Sequence, residues 1–117
     1  MERAVAMRRL NDLLRQHRGR RNAVGMGELY EAVFEIYPIS RINGTRRLRK
    51  LITDLRRKGR PVCSNMAGYY LAANAVELAD YNRRVRRRAL GELERIACQL
   101  RISMPELLGQ LRLDLEM

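Results

Sequence analysis

Between Arg41 and Arg60 the chain holds nine basic residues and a single acid, Asp54, a local balance of +8. Four side chains in this stretch, Arg46, Lys50, Thr53 and Arg57, are spaced four, three and four apart, which puts them on one side of a helix. Arg47, Arg49 and Arg56 flank that side, while Leu48, Leu51, Ile52 and Leu55 occupy the opposite one. The chemistry open to such a face is recognition of polyanions. A guanidinium offers a planar fork that bonds guanine O6 and N7 or a phosphate in two places, and a threonine methyl can touch a thymine methyl. A solvated amphipathic helix would show the same pattern, but here the charge is concentrated on one element.

Composition narrows the classes. The 117 residues carry 24 Lys+Arg against 13 Asp+Glu, a formal charge of +11, and 46% are apolar, enough for a folded domain. Clustered cations gain affinity for nucleic acid by releasing phosphate counterions. The charge is uneven: residues 1–72 balance to +10 and residues 73–117 to +1. Of the basic residues, 22 are arginine, a bias that a GC-rich genome explains as well as phosphate binding does. No apolar run reaches membrane-spanning length and no apolar leader core is evident, so a soluble, cytoplasmic protein without membrane partner is expected. Cys63 and Cys98 lie in unrelated contexts and read as two packed thiols. His17 is the only histidine and reads as structural or solvated. Paired carboxylates, a metal-ligand cluster, a nucleophile motif and a phosphate-cradling glycine loop are all missing, so no enzyme, metal, cofactor or small-molecule ligand is expected.

The elements that would position the cationic face follow from periodicity. A first helix from Arg3 to about His17 buries Ala6, Met7, Leu10, Leu13 and Leu14 and ends in the polar turn Arg18-Gly19-Arg20-Arg21-Asn22. Ala23 to Met26 fits a brief strand. A second helix over Gly27 to Tyr37 is predicted to stop at Pro38, followed by a compact connector with Ile39 and Ile42 as anchors and Asn43-Gly44 as its turn. Thr45 would cap the third helix and Gly59 end it. After Gly59 the period changes to that of a hairpin, Pro61-Val62-Cys63-Ser64 and Tyr69-Tyr70-Leu71-Ala72 around Asn65-Met66-Ala67-Gly68, with Val62 and Tyr70 as candidates to pair toward the helices and the register left open by the sequence. One of the two adjacent tyrosines should be core and the other surface. Asn74 with Glu77, and Ser103 with Glu106, are capping boxes that open a long fourth helix to about Leu100 and a short fifth. Their Leu78, Tyr81, Val85, Ala89, Leu93, Ile96 and Leu100, with Leu107, Leu108, Leu111 and Leu115, read as the core of a helical hairpin or as a seam for a homodimer. Arg83, Arg84, Arg86, Arg87 and Arg88 spread too widely around the fourth helix for all five to face one partner, and read either as a phosphate-contacting arm or as a plain solvated face.

The run Arg46-Arg47-Leu48-Arg49-Lys50-Leu51-Ile52-Thr53-Asp54-Leu55-Arg56-Arg57-Lys58-Gly59, followed by Pro61 to Ser64 and Gly68 to Ala72, resembles the recognition helix and wing of small winged helix-turn-helix DNA-binding proteins of bacteriophage and prophage type. The resemblance covers about Gly25 to Arg101. It implies a mainly α (α+β) fold, a winged helix over residues 1–72 with a two-helix extension over 73–117. It also implies a helix in the major groove of double-stranded DNA and a wing near the adjacent backbone or minor groove. Arg46, Lys50, Thr53 and Arg57 are then the base-edge candidates, and Arg41, Arg47, Arg49, Lys58, Arg60 and Asn65 the phosphate candidates. The expected task is transcriptional regulation or a replication accessory role. The alternative is an assembly module in which the arm after Asn74 works and the winged helix binds no specific DNA site. RNA binding ranks third, since no aromatic-rich strand platform is present.

Overall fold

The computed structural model describes residues 1–36 and 44–116, so Tyr37, Pro38, Ile39, Arg41, Ile42 and Asn43 lie outside the described residues. The order is α1 (Arg3–Arg15), a 3-10 turn (Arg20–Asn22), α2 (Met26–Phe34), α3 (Arg46–Arg57), β1 (Val62–Asn65), β2 (Gly68–Leu71), α4 (Ala75–Leu100) and α5 (Met104–Glu116). This is a mostly helical chain with a short antiparallel hairpin between helical segments, the arrangement of a winged-helix-like architecture in general terms. The chain forms two compact units, Met1–Tyr81 and Asn82–Met117.

In the first unit the apolar stripes of three helices close on one another. Ala6, Leu10 and Leu14 of α1 meet Leu29, Tyr30, Val33 and Phe34 of α2 and Leu48, Leu51, Ile52 and Leu55 of α3, with Val24, Val62 and Leu71 completing the cluster. Each such leucine contributes about 1.5–3 kcal/mol by leaving water. Helix α2 is shorter than its periodicity suggests. It ends at Phe34, with Glu35 in the left-handed region at φ 63°, before Pro38 is reached. The Arg9 guanidinium supplies a reason for the early stop, donating to the Ala32 carbonyl at 3.2 Å and pairing with Glu35 at 3.0 Å, a cation at a helix C-terminus. At the start of α3, Thr45 stands at the N-cap position but is buried and makes no capping bond to the helix amides. At its end, Gly59 at φ 87° turns the chain so that the Arg60 amide bonds the Leu55 carbonyl at 3.0 Å.

The hairpin register differs by one residue from the expected pairing: Val62 faces Leu71 and Cys63 faces Tyr70. Both faces are covered. Val62 and Leu71 enter the helical core, while Cys63, Tyr70 and Ala72 pack with Ala23, Leu78 and Tyr81. The first turns of α4 thus cover the side of the hairpin that the sequence left to solvent. Tyr70 is the core tyrosine, and Tyr69 is half-buried rather than surface. Val24 exchanges two backbone bonds of 2.8 Å with Tyr69, which realises the brief strand as a single antiparallel bridge. Gly68 is required by that approach, since a Cβ there would lie 1.9 Å from the Val24 carbonyl oxygen.

In α4 the Asn74 side chain accepts the Glu77 amide at 2.9 Å, and Glu77 in turn accepts the Ala73 amide at 3.1 Å. Ser103 and Glu106 close the second box. In the unit Asn82–Met117 only Ala97 and Leu107 are buried among the described residues. The expected core of a helical hairpin is therefore not formed: Val85, Leu90, Ile96, Leu100, Leu108, Leu113 and Leu115 are exposed, and Leu93 and Leu111 are only half-buried. Cys98 is exposed too, against the expectation of a packed thiol, whereas Cys63 is fully buried.

Candidate nucleic-acid interface

The amphipathic pattern of α3 decides which side chains it leaves outside. With Leu48, Leu51, Ile52 and Leu55 in the core, Arg46, Arg49, Lys50, Thr53 and Arg57 come together as the lining of one open groove of about 450 Å³, joined by Asp54 and by Arg3 from α1. Asp54, the only acid in α3, is held by Arg3 in an ion pair, so the groove keeps a strongly positive balance. All four base-edge candidates share this groove. The Thr53 hydroxyl donates to the Arg49 carbonyl at 3.0 Å, which leaves its methyl as the group for an apolar contact. Arg46, Lys50 and Arg57 have no ion-pair partner among the described residues.

The phosphate candidates separate into several situations. Arg41 lies outside the described residues. Arg49 lines the groove, and Lys58 is exposed at the end of α3. Arg47 lies over the Phe34 ring, 4.4 Å from its centroid, and donates to the Met1 carbonyl, so its guanidinium is engaged by the protein itself. Asn65 is likewise occupied. Its side-chain oxygen accepts the amides of Ala67 at 2.9 Å and Gly68 at 3.1 Å, and its nitrogen donates to the Arg20 carbonyl at 3.3 Å, so it builds the hairpin turn. The tip presents fully exposed Met66 and no cation. Arg60 sits half-buried at the base of the hairpin.

Arg56 is turned inward although its neighbour Arg57 is outward. Its Nε donates to the Val62 carbonyl at 2.8 Å, and its guanidinium stands 6.0 Å from the Tyr69 ring centroid and 5.5 Å from that of Tyr81. It bolts helix to hairpin. Burial pushes the Tyr69 phenol above its ordinary pKa of 10.0, and the positive charges of Arg56 and Arg49 partly offset that rise. Arg3 is the groove residue that sequence reasoning missed. Nothing local in α1 marks it, since its place depends on how α1 crosses α3.

His17 donates one bond, from Nδ1 to the Asn22 carbonyl at 2.9 Å, in keeping with a structural part. Among the described residues no group of three His, Cys, Asp or Glu could hold a metal ion, and no helix is long and apolar enough to cross a membrane. Comparisons with protein-family models, with curated proteins and with solved structures found no match.

Proposed function

We propose that the chain binds double-stranded DNA as a non-enzymatic, cytoplasmic protein of the small winged-helix type found in phages and prophages, acting in transcriptional regulation or as a replication accessory factor. The observation that supports this reading is the α3 groove, in which Arg46, Arg49, Lys50 and Arg57 surround Thr53 and the one acid is neutralised by Arg3. In this reading α3 enters the major groove, Arg46, Lys50, Thr53 and Arg57 meet base edges, and Arg49 and Lys58 meet phosphates. Fluorescence anisotropy with a labelled duplex across a salt series tests it. With about six phosphate contacts, log K falls against log salt with a slope near −5, and Arg46→Glu with Lys50→Glu abolishes binding. Absence of binding by the wild-type chain at low salt, or binding that survives the double reversal, overturns the reading.

A second reading, an assembly module without a specific DNA site, is favoured by the apolar side chains left in water in the unit 82–117, Leu108 and Leu113 among them. It predicts that cellular activity survives the same charge reversal.

A further inference from the structure

A second cationic concavity lies apart from the α3 groove and shares no lining residue with it. Arg15 at the end of α1, Arg18 just beyond it and Arg60 before β1 surround a notch of about 350 Å³ completed by Pro61, Leu71 and Ala72. No acidic residue lines it. Arg15 has only a loose contact with Asp12, 3.9 Å, and Arg18 has no ion pair among the described residues. The Arg60 Nε is shut off from solvent and has no acceptor among the described residues.

The frame is held by backbone bonds on every side. The Arg60 amide donates to Leu55, the Arg60 carbonyl accepts Val62 at 2.8 Å, and Ala72 donates to Pro61 at 3.0 Å. Across the notch, Leu71 donates to the His17 carbonyl at 2.9 Å and accepts the Gly19 amide at 2.7 Å. Arg60 is thus held by its own backbone bonds, and Arg18 by the bridge that its neighbours His17 and Gly19 make with Leu71. Three guanidinium-bearing side chains with no acid between them, over an apolar floor of Pro61, Leu71 and Ala72, suit a tetrahedral oxyanion attached to an apolar-faced group. A phosphodiester with its sugar has that form.

We propose that Arg15, Arg18 and Arg60 form a phosphate-binding site separate from the α3 face, which takes a backbone phosphodiester of the bound duplex. The duplex as the source of the phosphate rests on the function proposed above, whereas the anion site does not.

Titration of the full chain with inorganic phosphate, followed by the arginine Nε–Hε NMR resonances, tests the site. Phosphate is expected to shift the Arg60 resonance saturably while chloride at equal ionic strength does not. Arg15→Gln with Arg18→Gln, both at exposed positions, weakens that binding about tenfold, a factor worth 1.4 kcal/mol. An Arg60 resonance that phosphate leaves unmoved, or one that responds equally in the double variant, overturns the site. For the source, the double variant is expected to bind duplex with a salt slope shallower by about one to two than wild type. An unchanged slope alongside a responsive Arg60 overturns the duplex assignment. Failure of the wild type to bind duplex removes the α3 reading and the duplex source together, while the phosphate titration still decides the notch.

Discussion

Arg56 and Arg57 are adjacent, chemically identical and placed in opposite roles, so truncating each in turn separates architecture from binding. Arg56→Ala removes the 2.8 Å bond to the Val62 carbonyl, worth about 1.5–3 kcal/mol for a charged donor. It also removes the contacts with Tyr69 and Tyr81, each worth about 0.5–1 kcal/mol. Against this, the variant relieves a buried Nη2 that has no partner among the described residues, a gain of about 1–3 kcal/mol. The balance is a loss of about 2 kcal/mol, which lowers the melting temperature of a unit this size by roughly 8–16 °C. Arg57→Ala touches only the open groove and is expected to stay within about 0.5 kcal/mol of wild type. Its effect should fall on duplex affinity instead, about tenfold or more if its fork reads a base edge. Urea denaturation and anisotropy on both variants measure the two effects. An Arg57→Ala variant as destabilised as Arg56→Ala, or an Arg56→Ala variant with weaker duplex binding at an unchanged urea midpoint, refutes this division between the two arginines.

Gly68→Ala drives a Cβ into the Val24 carbonyl at a residue whose φ is 139°, so the two Val24–Tyr69 bonds must open. A loss of about 3 kcal/mol in urea denaturation is expected, and a loss under 1 kcal/mol would contradict the close approach. Tyr69 ionises less readily folded than unfolded, so its share of stability is complete below pH 10 and falls as pH rises from there through the folded pKa. Tyr69→Phe should flatten that alkaline decline relative to wild type in melts between pH 9 and about 11. The arm is expected to associate with a second copy through its exposed apolar side chains, and Leu108→Glu with Leu113→Glu to give a monomer. Sedimentation velocity checks this, with a wild-type chain monomeric at high concentration as the contrary result.

The cationic face of α3 was legible because its period is carried by four leucine-type residues that have no alternative place, Leu48, Leu51, Ile52 and Leu55. Once those are buried, the positions of Arg46, Lys50, Thr53 and Arg57 follow from helix geometry alone. The flanks were not legible. Arg47, Arg49 and Arg56 look alike in sequence, and their fates depend on Phe34 and the hairpin, which are tertiary neighbours. The register slipped by one for a related reason. A strand with one wet face alternates, but here Cys63 and Tyr70 are covered by Leu78 and Tyr81, so adjacent residues are all apolar and alternation carries no signal. In the arm, leucine content was visible but its use was not, since periodicity shows an apolar stripe and is silent on what meets it.

The uncharged hairpin tip bears on how a duplex would be held. In the proposed mode, a wing with Met66 at its tip and Asn65 consumed by its own turn supplies neither charge nor a free polar group to the backbone. The hairpin contributes from its base instead. There it fixes Arg56 against Val62, which sets the helix end from which Arg57 projects, and it forms one wall of the notch that holds Arg60. Phosphate contacts would then come from Arg49 and Lys58 on the helix and from Arg15 and Arg18 at the end of α1. On this argument, adding a cation at the exposed tip, Met66→Lys, should raise duplex affinity without changing stability, with a salt slope steeper by about one. A tip that lies against the backbone would show that gain in anisotropy, and an unchanged slope would place the wing away from the DNA.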